Sequence, residues 1–112
     1  RYLIMNQRMK SLLSYIRKNP NDTFSKFALA LEYLNNDQMD KAQLLFEHIY
    51  ESDPEYLGLY YHLAKLYYQK SETELARRIY NEGIELARKQ NDNHSLQELQ
   101  QALQELEMDL DE

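Results

Sequence analysis

A chain of 112 residues with 43% apolar and 29% charged residues holds material for one modest core. The absence of cysteine excludes disulfides, thiolate metal sites and thiol catalysis, and a net charge of −6 argues against a nucleic-acid binder. Only two glycines and two prolines are present, which favours long helices joined by short turns.

From about Leu3 to Lys18, the residues Met5, Met9, Leu12, Leu13 and Ile16 recur at steps of three and four, the period of one helical face. Asn19-Pro20-Asn21-Asp22 should end that helix, because the residue before a proline avoids helical backbone angles. Asp22 or Thr23 then offers a side-chain oxygen to cap the next helix. Between Thr23 and Asn35, apolar residues from Phe24 to Leu34 nearly surround the helix, so it must be contacted from several directions. Asn35-Asn36-Asp37 breaks the pattern, and Asp37 is placed to cap a helix from about Gln38 to Ser52, with Ala42, Leu45, Phe46 and Ile49 buried. Asp53-Pro54 stops it.

A second pair of helices follows. One is expected from about Glu55 to Lys70, carrying Leu59, Leu63, Ala64, Leu66 and Tyr67. Ser71, with Glu74 three residues on, has the spacing of a capping box and opens a helix from about Glu72 to Lys89. That helix should bury Leu75, Ala76, Ile79, Tyr80, Gly83, Ile84 and Ala87, and with no proline to end it, it should overrun its counterpart by about a turn. After Asn91-Asp92-Asn93, a last helix is expected near Ser95, on a second capping box with Glu98. Along it Leu96, Leu99, Leu103, Leu106 and Leu110 make a narrow heptad-like seam. Such a seam suits one flat contact, either with the rest of the chain or with a second copy in a homodimer.

The middle of the chain matches itself at a shift of 34 residues. Leu29 falls on Leu63, Ala30 on Ala64, Tyr33 on Tyr67, Ala42 on Ala76, Phe46 on Tyr80 and Asp40 on Glu74. A period of that size marks a stacked helical array. The pattern resembles the tetratricopeptide repeat family, through Lys26, Leu29, Ala30, Tyr33, Ala42, Phe46 and Pro54 in one unit. The second unit supplies Tyr60, Leu63, Ala64, Tyr67, Ala76 and Tyr80. Lys26 for the usual aromatic, Ile49 for a small residue and Arg88 for proline depart from it. The resemblance implies an all-α fold of about six helices, antiparallel pairs stacked in a short right-handed superhelix. Its divisions would be an N-terminal helix or partial repeat over 1–22, units over 23–56 and 57–90, and a capping helix over 91–112.

It also implies a scaffold that binds a protein or peptide segment on a concave face and performs no chemistry. The concave positions are Phe24, Phe27, Leu31, Leu34 and Asn35 in the first unit, with Tyr61, Lys65, Tyr68 and Gln69 in the second. Such a face would take an apolar or amphipathic segment, with Lys65 able to pair a carboxylate, or be covered by the chain's own end helix or a second copy. The basic clamp that some family members use for terminal carboxylates is not visible, since Phe27 and Leu31 stand where it would need polar side chains.

No other chemistry emerges from the residues. His48, His62 and His94 are scattered, and His94 with Glu98 one turn on is a lone exposed pair, so neither a metal nor a cofactor is expected. There is no nucleophile elbow, glycine-rich loop or carboxylate isolated in an apolar stripe, and no enzyme activity is expected. Apolar runs fall far short of the roughly 20 residues of a membrane span. No signal-peptide pattern opens the chain, so a cytoplasmic setting is the expectation, although a leader trimmed before Arg1 would leave no trace. Charge is divided along the chain: Arg1, Arg8, Lys10, Arg17 and Lys18 face one acid before Thr23, whereas the stretch from Asn91 onward has acids and no Lys or Arg. End-to-end contact between chains is one reading of that division.

Overall fold

The computed structural model describes residues 6–110, apart from the Leu110 side chain. Met5 of the first apolar stripe and the last leucine of the seam therefore lie outside the description. The described residues form six α-helices and no strand: α1 (Gln7–Lys18), α2 (Thr23–Asn35), α3 (Met39–Ser52), α4 (Gly58–Gln69), α5 (Thr73–Lys89) and α6 (Asn93–Leu110). The chain divides into two compact units, Arg1–Asp53 and Pro54–Glu112.

In the first unit α1 packs on α2, and α2 on α3. The Asn6 side chain caps α1 by accepting from the Met9 amide at 2.8 Å, and Arg17 and Lys18 in its last turn complement the helix dipole. Asp22 caps α2, accepting from the Ser25 amide at 3.0 Å and from the Ser25 hydroxyl. The buried residues Ala28, Leu29 and Ala30 meet Ala42, Phe46 and Ile49 of α3, where the alanines let the helix backbones come close. A hydrogen bond of 2.7 Å from the Thr23 hydroxyl to Asp53 joins the start of α2 to the end of α3.

In the second unit α4 packs on α5, and α6 packs on α5 and touches α4. Leu59, Tyr60, Leu63, Ala64 and Leu66 of α4 are buried with Ala76, Ile79, Tyr80, Ile84 and Ala87 of α5 and Leu99 and Leu106 of α6. At their meeting point is Gly83, where a Cβ would stand 2.7 Å from Tyr60 Cβ and 3.1 Å from Leu99 Cδ1. Here a hydrogen atom is the only side chain that fits. Leu45 and Leu75, expected in the buried stripes, are half-buried.

Several helix starts differ from the sequence expectation, and three share one cause. Asp37, Ser71 and Asn91 adopt left-handed backbone, with φ of 59°, 65° and 57°. At each, two amides reach back to the preceding helix: Asp37 N–H to the Leu34 carbonyl and Gln38 to Tyr33, Ser71 to Tyr68 and Glu72 to Tyr67, Asn91 to Arg88 and Asp92 to Ala87. This is the Schellman termination, built three times without glycine. Asp37 and Ser71 therefore end the preceding helix and do not cap the following one. The N-cap residues of α3 and α5, Gln38 and Glu72, make no side-chain cap, and Glu74 pairs with Arg77 instead of closing a capping box. Likewise Asp92, not Ser95, caps α6: the Ser95 amide and hydroxyl donate to it at 3.0 and 2.9 Å, and the helix begins two residues earlier than expected. α4 begins three residues later than expected. Carbonyls in this link serve other donors, Pro54 accepting from the Tyr60 hydroxyl at 2.6 Å and Glu55 from the Gln90 side-chain Nε2 at 2.9 Å.

Candidate functional site

The first unit spreads its five stripe residues over a gradient of burial. Phe24, in the first turn of α2, is 67% exposed, and Asn35 at its last residue is exposed too. Phe27, Leu31 and Leu34 are half-buried. The Phe27 ring lies 5.9 Å from the buried Phe46 ring, tilted by 60°, a favourable aromatic geometry. One side of Phe27 thus belongs to the core, and Phe24 is the aromatic of this stripe that water reaches most.

The α4 stripe in the second unit is built differently. Lys65 extends its ammonium over the Tyr61 ring, 5.8 Å from the centroid, and the same ring meets His62 edge-on at 5.4 Å. Burial, with the Lys65 charge second, holds the His62 imidazole below its usual pKa. The Tyr68 hydroxyl donates to the Asp109 carboxylate of α6, and this bond, more than burial, raises the tyrosine's pKa. Tyr80 is pushed up to about 12, chiefly by burial and then by Tyr61, Glu105 and Tyr68. Tyr68 and Asp109 thus join α4 to α6 on this side, forming one wall of the stripe. Gln69 is exposed beyond it.

The sequence did not point to Asp109 as a member of this wall. The run of acids in α6 was visible, but which turn of that helix meets α4 depends on its packing. Arg77 of α5 holds α6 as well, binding Glu107 through Nε at 2.9 Å and Nη2 at 2.8 Å while also pairing with Glu74. These carboxylates keep its guanidinium firmly charged. Within the leucine seam Leu99 and Leu106 are buried in the second unit, and Leu96 and Leu103 are half-buried. The seam therefore faces its own unit at those positions.

Surface hollows lie off both stripes. One of about 300 Å³ between α2 and α3 is lined by Leu29, Tyr33, Lys41, Leu44, Leu45 and His48, with Leu44 68% exposed. Another of about 500 Å³ follows the charged face of α5 beside Tyr60. Among the described residues no three His, Asp or Glu side chains stand close enough to hold a metal ion, and no helix is long and apolar enough to cross a membrane.

Helix hairpins at a fixed period, with small residues at the helix crossings, define a helical repeat protein. The chain belongs to the tetratricopeptide repeat family, whose model matches residues 33–103. A tetratricopeptide repeat domain protein from Salinibacter ruber is 44% identical in its solution structure, at a TM-score of 0.74, over 79% of this chain and 89% of that one. Its crystal structure superposes at 0.75, covering 77% and 97%. A protein from Bordetella parapertussis, 22% identical, shares the fold at a TM-score of 0.79 over 94% of this chain and 91% of its own. No curated protein matches the chain significantly. Family membership gives the general class, a protein–protein interaction module.

Proposed function

We propose that the chain is a non-catalytic scaffold whose two repeat units, 23–56 and 57–90, bind a segment of another protein along the stripes of α2 and α4. The observation that carries this reading is Phe24, two-thirds exposed on a helix whose other aromatic and aliphatic stripe residues are half-buried. Large apolar side chains left in water on an ordered helix are typical anchors for a partner's side chains. The α4 stripe supports the same reading, with Tyr61 held flat under Lys65 and the Lys65 ammonium open to a carboxylate. The partner is an apolar or amphipathic segment carrying an acid.

Phe24 has little packing to lose, so Phe24→Ala should change stability by about 0.5 kcal/mol or less. The test immobilises the wild-type chain beside a Phe24→Ala/Tyr61→Ala variant and compares proteins captured from extract of the source cell. A species held by the wild type and lost from the helical variant is expected. Identical capture by both would remove the stripes from consideration.

A further inference from the structure

The outward faces of α1 and α6 are matched in charge, spacing and apolar content. On α1, Gln7, Lys10, Ser11, Ser14, Tyr15 and Lys18 line a shallow hollow of about 440 Å³, all of them exposed, with Arg17 beside them. The helix contains no acid, and among its cations Arg8 is taken by Glu32 at 2.9 Å. On α6, Glu98, Gln101, Glu105 and Met108 are exposed at steps of three, four and three, which makes them one helical stripe. The helix contains no Lys or Arg. Glu107 is held by Arg77 and Asp109 by Tyr68. Among the described residues, no ion pair engages Lys10, Arg17, Lys18, Glu98 or Glu105.

Two further features fit these faces to each other. Lys10 and Arg17 are seven residues apart, and so are Glu98 and Glu105. Both intervals are two helical turns, about 10.5 Å. Two ion pairs can therefore form together, whether the helices run parallel or antiparallel. Each face also carries one large apolar side chain in water, Tyr15 at 49% exposure and Met108 at 59%. Ser11 and Ser14 between the cations keep the α1 surface low enough for a helix to lie close.

From this we infer that α1 of one copy of the chain receives α6 of another. The occupant is a second copy because the acidic stripe of matching pitch is carried by the chain itself. The two surfaces differ, so the contact is heterologous: each molecule offers both halves, and association proceeds head to tail unless two molecules close on each other. Exposed ion pairs contribute little individually and are screened by salt, so the contact is weak, concentration-driven and salt-sensitive.

Sedimentation velocity on the wild-type chain, up to about 1 mM and in about 50 mM salt, should reveal oligomers that weaken roughly tenfold in about 500 mM salt. Lys10→Glu/Arg17→Glu and Glu98→Lys/Glu105→Lys should each abolish association while leaving the far-UV circular dichroism unchanged. An equimolar mixture of the two variants should associate again, as should a chain carrying all four reversals. A wild type that stays monomeric throughout would overturn the inference. So would association that survives either pair of reversals, or a mixture and a fourfold variant that both remain monomeric.

Discussion

Replacing Gly83 by alanine sets two effects of known size against each other. Removing a glycine from a helix interior is favourable by about 1 kcal/mol, because the unfolded chain has less freedom to lose. Against this, the new methyl would sit 2.7 Å from Tyr60 Cβ, 3.2 Å from its Cγ and 3.1 Å from Leu99 Cδ1. Leu99 Cδ1 is a side-chain end and can swing aside. Tyr60 Cβ is one bond from the α4 backbone, so relief there requires α4 to move from α5, and overpacking of this kind costs about 1–3 kcal/mol. With the rigid contact dominant the net effect is a loss of about 1–2 kcal/mol, a fall of roughly 5–10 °C in Tm for a chain of this length. Thermal and urea unfolding followed by circular dichroism would measure it. Repeating the substitution in a Leu99→Ala background isolates the cause, since the penalty should persist there if Tyr60 is the wall. A Gly83→Ala chain that melts at or above the wild type would refute the close approach of α4 and α5.

Two other substitutions test the helix ends. Ser71 holds φ of 65°, a conformation costing an L-residue about 1 kcal/mol, so Ser71→Gly should raise stability by about 0.5–1 kcal/mol. Asp37→Gly and Asn91→Gly should gain less, because Asp and Asn tolerate that region better, and parallel urea titrations would establish the order. The Ser95 amide, and then its hydroxyl, hold the Asp92 carboxyl below its usual range. A depressed pKa in the folded state means that the unfolded chain binds protons first, so this support is complete above the ordinary value of 3.8 and is lost as pH falls through the lower folded value. Asp92→Asn retains a capping oxygen but cannot titrate, and its Tm should fall less than the wild type's between neutral and acid pH.

The paired helices were legible because the side chains that force close packing, Ala30, Ala42, Ala64 and Ala76, recur at one period with the large residues that fill beside them. The ends of α1 and α3 were legible for a local reason, Pro20 and Pro54 and the polar links around them. What misled was the double meaning of a small polar residue between helices. Asp37 and Ser71 suit an N-cap, yet each is used in left-handed backbone to finish the helix before it, and sequence pattern does not separate the two roles. The stripe residues were identifiable individually, but not their burial: Phe24 and Phe27 read alike until Phe46 is seen against only the second. The place of Asp109 beside Tyr68 depended on how α6 rotates against α4, which the burial of Leu99 beside Gly83, and of Leu106 two turns on, determines.

The sparse anchorage of α1 affects how the molecule breathes. Met9 is its one fully buried side chain, whereas α5 has six buried residues. Helices held by so little apolar contact open locally long before the chain unfolds globally, so the amides of α1 should exchange with solvent ahead of those in α4 and α5. Anything that lies on the outward face of α1 has to hold that helix closed. Hydrogen exchange in this one helix therefore provides an internal gauge of whether the face is occupied.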